Sequence, residues 1–293
     1  MVRELARQAP TSLLTDVHAN RGTCIIPETL LMSSIAAYVY CLVKAKSRPS
    51  LAKAPRGLPG ATAPEAVQVS TGLWLIVADV PLSVYGPGPL ADSLGNLEWV
   101  SEVAIAHESV VEFFSRVRAA TTVPMKLFTM FSSRDRAIAD VRSRRRELAG
   151  IIKRIADAEE WGVRVAFEPA TARGGTAAPR GSSGGAAFLA AKRDARDSAR
   201  EAIQHASDTA EESFDVLCGV ARASRRRDDP PAGASSPPLL DATFLVSHGD
   251  RARFKAAART AAAECRRAGA RMMLTGPWPA YSFVQALQVP EAD

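Results

Sequence analysis

Short apolar runs alternate with longer amphipathic stretches in the first half of the chain. The runs 37–43 and 73–77 are rich in β-branched and aromatic residues, which predicts buried strands. In 96–118 apolar residues recur every three or four positions, which predicts a helix with Asn96 as its N-cap. A strand at 123–131 and a helix at 132–158 follow. This order predicts an α+β domain over residues 35–159, with helices packed on a mainly antiparallel sheet.

The second half of the chain predicts another α+β domain, over residues 160–284. Strand-like runs alternate there with two helical patterns, in the order 161–167, helix 188–223, 240–246, helix 250–268 and 272–284. We expect a mainly antiparallel sheet with packed helices in a ferredoxin-like arrangement.

The remaining segments lack a sustained hydrophobic period. We expect residues 1–34 to form a disordered N-terminal extension and residues 285–293 to form a short tail. Residues 169–187 are rich in Gly and Ser and predict a flexible loop within the second domain. Residues 225–238 combine charges with prolines and predict a disordered linker.

The long helix of the second half, predicted at 188–223, has an apolar stripe made mostly of alanine. Alternating charges cover the rest of its surface. Such a helix either packs within its own domain, which is the simpler arrangement, or stands partly free and serves as a rod that binds a partner.

Composition indicates a globular protein of two ordinary domains. The 293 residues are 47% hydrophobic and 23% charged, and the net charge of +6 is too weak to indicate nucleic-acid binding. The four cysteines are scattered, which predicts reduced structural thiols and no metal site. No apolar run reaches the length of a membrane helix, and no signal peptide is recognisable. We therefore expect an intracellular protein without cofactor, metal, nucleic-acid or membrane partners.

Catalytic chemistry has weak support. His107 lies on the apolar stripe of its helix, as structural core histidines do. His248 and Asp250 lie at a strand-to-helix turn, where Asp250 capping the helix is the simplest interpretation. A hydrolase that uses His107, or His248 with Asp250, is one alternative. We predict no catalytic, cofactor-binding or metal-binding residue.

The stretch 274–284 has the most distinctive composition in the chain. Pro277 and Pro279 bracket Trp278 and cannot both lie inside a central sheet ladder, so the segment should be rigid and kinked. It is predicted to close the second domain, either as a buried corner or as a docking surface. The partner-binding candidates are Trp278, Pro279, Tyr281 and Phe283.

This stretch resembles the C-terminal GPWPPYxF signature of the gas vesicle GvpL/GvpF family, with Ala280 where the family often has another proline. Other pieces are similar to family motifs in the same order along the chain: 37–40, Trp99 with His107-Glu108, 124–131, 160–165 and 244–246. Phe128 departs from the glycine that is common in the family's central strand.

The resemblance implies a non-enzymatic accessory protein of gas vesicle assembly with two α+β domains, the second of them ferredoxin-like. It also implies association with the small hydrophobic shell protein GvpA, as a chaperone-like or nucleating factor, and with other gas vesicle accessory proteins. The corresponding location is the gas vesicle or the cytoplasm. A ferredoxin-like regulatory module that binds a small ligand between its domains is the alternative.

Overall fold

The computed structural model describes residues 34–168, 185–227 and 238–284. Most of the expected extension and loop, part of the expected linker and the tail lie outside these residues. The chain divides into two compact units. The described residues of the first unit are 34–160 and 277–284, and those of the second lie within 161–276.

The sheet of the first unit is built around one central strand. The strands are β1 (Ile35–Lys44), β2 (Glu65–Ser70), β3 (Leu73–Pro81), β4 (Thr121–Pro124) and β5 (Met130–Phe131). Their order is β2-β3-β1-β4, with β5 also paired to β1. The pairs of β1 with β3, β4 and β5, and of β2 with β3, are antiparallel. The eight inner residues of β1 are buried, so this strand lies inside the core.

The helices of the first unit are α1 (Leu82–Tyr85), α2 (Pro87–Ser93), α3 (Leu97–Ser115), α4 (Arg134–Ser143) and α5 (Arg145–Ile155). The Asn96 side chain accepts from the backbone N–H groups of Glu98 and Trp99, as predicted for the N-cap of α3. The single helix predicted at 132–158 is instead two helices. They meet at Arg144, whose backbone (φ −94°, ψ 15°) departs from helical geometry.

The sheet of the second unit is formed by the strands β6 (Ala158–Phe167), β7 (Ala223–Arg226), β8 (Leu240–Ser247) and β9 (Ala270–Trp278). The first three residues of β6 and the last two of β9 belong to the first unit. The helices of the second unit are α6 (Gly185–Cys218) and α7 (Arg251–Arg267). The strand order is β7-β8-β6-β9. The element order β-α-β-β-α-β is that of ferredoxin-like units. The predicted class, α+β with helices packed on antiparallel sheets, is confirmed.

The charged stretch at the start of the expected linker forms a strand in the structure. Arg225 and Arg226 pair with Thr243 and Ala242 of β8. Arg226 also pairs with Glu211 and lies 4.0 Å from the centroid of the Phe214 ring. These contacts with α6 explain why Arg226 belongs to the sheet here.

Helix α6 is packed along only one half. Ala206, Ala210 and Leu217 are buried against the core of the second unit. Residues 189–205 are exposed along their whole length, although the alanine stripe continues through them. Of the two arrangements predicted for this helix, the structure has the one in which it stands partly free.

The distinctive C-terminal segment (residues 277–284) belongs to the first unit. Strand β9 ends at Trp278, and a 3₁₀ turn follows at Tyr281–Phe283. Tyr281 joins the hydrophobic core around β1. The sequence predicted that this segment closes the second domain, and the structure differs because its buried side chains have their partners in the first unit.

Phe128 adopts a left-handed backbone conformation, with φ of 64°. This is the position at which the sequence departs from a glycine, so the geometry suited to glycine is present without it. The Phe128 ring stacks on Trp99 at a centroid distance of 6.0 Å, and its N–H donates to the Tyr38 hydroxyl at 3.2 Å. These contacts offset a backbone strain of about 1–2 kcal/mol.

Alanine variants are usually more stable than glycine variants, and we expect the opposite order when Phe128 is replaced. Phe128→Ala loses the stacking but keeps the strain, whereas Phe128→Gly loses the stacking and relieves the strain. We expect the glycine variant to be more stable than the alanine variant by about 1 kcal/mol in urea unfolding. Gly150→Ala is the control. It lies inside α5 with open space around the added methyl, and it should stabilise by about 0.5–1 kcal/mol. An alanine variant at 128 at least as stable as the glycine variant would contradict this explanation.

Candidate functional site

The C-terminal segment is attached to the first unit through two carboxylates. Glu160, at the start of β6, accepts from the Ser282 backbone N–H at 2.8 Å and from the Ser282 Oγ at 2.7 Å. Glu108 of α3 accepts from the Tyr281 hydroxyl at 2.7 Å. Arg154 donates to the Phe283 carbonyl at 3.4 Å. Three side chains of the first unit therefore hold three consecutive residues of the turn.

Glu108 is the incompletely paired member of this cluster. Its Oε1 is enclosed and has no hydrogen-bond partner among the described residues. Burial raises the pKa of its carboxyl from 4.5 to about 7. The bond from Tyr281 opposes the rise, and the neighbouring Glu112 and Glu160 add to it. Near neutral pH this carboxyl is therefore divided between its neutral and ionised forms.

The predicted partner-binding residues are largely inaccessible. Tyr281 and Phe283 are 8% and 4% exposed, and Pro279 is buried. Trp278 is half-buried, and its indole Nε1 is enclosed without a hydrogen-bond partner among the described residues. Of the two roles predicted for the segment, this burial favours the corner over an open docking surface. Partner contact through these four residues stays a hypothesis.

The hydrophobic pattern of the sequence does not distinguish Glu108 and Glu160 as the residues that hold the segment. A usable signal was present for Glu108, because its neighbours His107 and Val111 both lie on the buried face of α3. A carboxylate at the edge of such a face requires a hydrogen-bond donor. The sequence gives no indication that the donor lies 173 residues away.

His107 belongs to a chain of buried hydrogen bonds. The Phe128 N–H donates to the Tyr38 hydroxyl, and that hydroxyl lies 2.7 Å from His107 Nδ1. His107 Nε2 lies 3.1 Å from the Met125 carbonyl, which can only accept. Nε2 therefore carries the proton, and Nδ1 accepts from Tyr38. Burial lowers the pKa of His107 from 6.5 to about 4, so the ring is neutral and structural, as its position on the apolar stripe predicted.

The other catalytic candidates, His248 and Asp250, lie at the turn between β8 and α7. His248 is exposed, and Asp250 accepts from the Ser247 Oγ. Asp250 occupies the N-cap position of α7 without a side-chain capping bond, so the predicted capping bond is absent. A groove of about 540 Å³ in the first unit is lined by Pro55, Ser109, Glu112, Phe113, Arg116 and Val117, and includes neither histidine. The described residues contain no group of three side chains suited to a metal.

Comparison with known proteins identifies the family. Residues 36–285 match the family described as "Gas vesicle synthesis protein GvpL/GvpF". The chain belongs to the GvpL/GvpF family. It is 28% identical over 217 residues to Gas vesicle protein L of Streptomyces sp. (strain CB03234), which covers 71% of this chain and 78% of that protein. The GvpL/GvpF family assignment gives the protein a role in gas vesicle assembly and gas vesicle proteins as its partners.

Solved GvpF structures share the fold. The crystal structure of GvpF from Anabaena sp. PCC7120 superposes with a TM-score of 0.61 and 14% sequence identity, covering 86% of this chain and 97% of that chain. GvpF from Microcystis aeruginosa gives a TM-score of 0.56 and 12% identity, covering 85% and 99%. None of the helices among the described residues has both the length and the hydropathy of a membrane span.

Burial of neutral His107 should make the stability of this GvpL/GvpF protein sensitive to acid. The unfolded chain binds a proton at His107 near pH 6.5, whereas the folded chain binds it near pH 4. Stability from this group is therefore complete above pH 6.5 and is lost as the pH falls towards 4, by at most about 3 kcal/mol.

Urea unfolding at a series of pH values tests this with His107→Gln. We expect a loss of about 1–3 kcal/mol at neutral pH, from the broken hydrogen bonds, and a smaller decline on acidification than in the wild type. Glu108 acts in the opposite direction between pH 4.5 and about 7, so the comparison is made at each pH. The exposed His248→Gln is the control. If the free energy of unfolding of His107→Gln falls on acidification as much as that of the wild type, His107 is not the source of the acid sensitivity.

Proposed function

We propose that this protein is a non-enzymatic factor that binds the shell protein GvpA during gas vesicle assembly, as a chaperone-like or nucleating protein. The observation that carries the proposal is the family match over residues 36–285. The buried, neutral state of His107 supports a structural role for it, and its two ring nitrogens are occupied by Tyr38 and Met125. We propose the gas vesicle or the cytoplasm as its location.

The exposed half of α6 is the surface that best suits a small hydrophobic partner. Leu189 and Ile203 are 57% and 45% exposed on this half, which also carries the uncovered part of the alanine stripe. Small side chains allow a partner's backbone to approach closely, while flanking charges keep the free protein soluble. A hydrophobic shell subunit would cover this stripe as the domain core covers its continuation at Ala206 and Ala210.

A second surface lies at the end of the sheet in the second unit. Strand β9 is at one edge of the strand order β7-β8-β6-β9. Met273 on this strand is 43% exposed, and Trp278 at its end is half-buried. Edge strands bind extended segments through unpaired backbone groups. This surface retains Trp278 as a candidate contact.

A GvpA-binding assay distinguishes between the two candidate surfaces. Co-purification of tagged GvpA with the full chain should fall about tenfold or more when Leu189→Asp and Ile203→Asp are combined, because each change places a charge on the contact. Both side chains are exposed, so folding should be unaffected. Val216→Asp is the matched control, since Val216 is 55% exposed on the other half of the same helix.

The outcomes distinguish three cases. Loss of GvpA with the double variant and retention with Val216→Asp supports the α6 surface. Retention with the double variant and loss with a folded Trp278→Ala assigns contact to the β9 edge instead. If the wild-type chain does not retain GvpA at all, the proposed function is wrong.

A further inference from the structure

The two carboxylates that hold the C-terminal segment differ in their environment. Glu160 uses both of its oxygens for Ser282, with Oε2 on the backbone N–H and Oε1 on the hydroxyl. Glu108 uses Oε2 for Tyr281, whereas its enclosed Oε1 has no hydrogen-bond partner among the described residues. A buried oxygen of this kind costs little when the acid is neutral and much more when it is ionised.

Among the described residues, the charged groups that shift the pKa of Glu108 are the carboxylates Glu112 and Glu160, and both disfavour its ionised form. Four titratable groups lie near Glu108. Two are on other strands or the segment: Cys41 on β1 and Tyr281 on the C-terminal segment. The other two are carboxylates, Glu112 on the next turn of α3 and Glu160 on β6. Tyr281 and Cys41 are a neutral phenol and a neutral thiol, and burial raises the pKa of each. Glu112 pairs with Arg116. At the segment itself Arg154 donates to the Phe283 carbonyl.

Proton binding by Glu108 and docking of the segment are therefore coupled. Moving Tyr281 and the turn away from α3 would admit water to the carboxylate, and water stabilises the ionised form. The closed arrangement correspondingly favours the neutral acid. Docking of the segment lowers the acid dissociation constant of Glu108 by a certain factor. By linkage, ionisation of Glu108 lowers the equilibrium constant for docking by the same factor.

We propose that residues 277–284 form a pH-sensitive latch, which is held on the first unit while Glu108 is protonated and opens locally when Glu108 ionises. The proton leaves to solvent, and the opened latch exposes the Tyr281 and Phe283 rings. The family signature then has two states: a buried corner when closed, and an accessible aromatic segment when open.

The direction of the effect follows from the two protonation equilibria. An accessible Glu108 ionises near pH 4.5, whereas the docked one ionises near pH 7. Docking is strongest below pH 4.5, weakens as the pH rises through this window, and stays constant above about pH 7. Each unit of pKa difference corresponds to a tenfold change, so the full change is at most a few hundredfold.

Hydrogen exchange detected by mass spectrometry measures latch opening in the full chain. The reporter is the Ser282 amide, whose N–H donates to Glu160 in the closed state. Protection factors, corrected for the intrinsic pH dependence of exchange, are compared at about pH 5 and about pH 8, which span most of the window. We expect protection of the peptide that contains Ser282 to fall at least tenfold at the higher pH. Peptides from β1 serve as the reference for global opening.

Three variants assign the effect to Glu108. Glu108→Gln cannot ionise and should remove the pH dependence of protection at Ser282. Glu112→Gln, on the same helix, is the matched control and should retain most of it. Tyr281→Phe removes the hydrogen bond that favours the ionised form of Glu108, so the midpoint of the transition should move to higher pH.

Equal protection of the Ser282 peptide at both pH values in the wild type would overturn the latch. A pH dependence unchanged in Glu108→Gln would also overturn it. If Glu108→Gln fails to fold, the direction of the midpoint shift in Tyr281→Phe decides the question: a higher midpoint supports the latch, and an unchanged or lower midpoint refutes it. None of these outcomes depends on GvpA binding.

Discussion

The first unit depends on hydrogen bonding of the two tyrosines that point from β1 into its core. Tyr38 and Tyr40 are completely buried, with ring centroids 4.9 Å apart. Tyr38 receives the Phe128 N–H and bonds His107, while Tyr40 receives the Leu58 N–H at 3.0 Å. A buried hydroxyl without a partner would cost about 1–3 kcal/mol. The two tyrosines therefore fix the loops that contain Leu58 and Phe128, and the rotation of α3 about its axis.

The fixed rotation of α3 determines which of its side chains meets the C-terminal segment. With His107 held inward, the next residue lies at the edge of the buried face, where Glu108 meets the C-terminal segment. The aromatic signature and the W…HE helix, which are far apart in the sequence, thus belong to one packed region. Family resemblance identified both pieces, and the geometry gives a physical reason for their occurrence in the same protein.

Features with local causes were predictable, and features with distant causes were not. The burial of β1, the Asn96 cap and the inward His107 follow from patterns that span a few residues. The break at Arg144 was missed because the apolar residues Val141 and Leu148 on either side of it keep the helical period. The unit to which residues 277–284 belong was also missed. It depends on Glu108 and Glu160, which lie 173 and 122 residues from their partners. The burial of the candidate contact residues has the same distant cause.

The half-exposed helix α6 has a further consequence for the stability of its exposed half. Starting an isolated helix is costly, but the packed half from Ala206 onward already provides a nucleus. Residues 189–205 therefore extend an existing helix at the cost of propagation alone, and their alanines and long charged side chains favour it. Seventeen residues at 1.5 Å each span about 25 Å. Turns of this exposed half can therefore be lost and regained without unfolding the packed half.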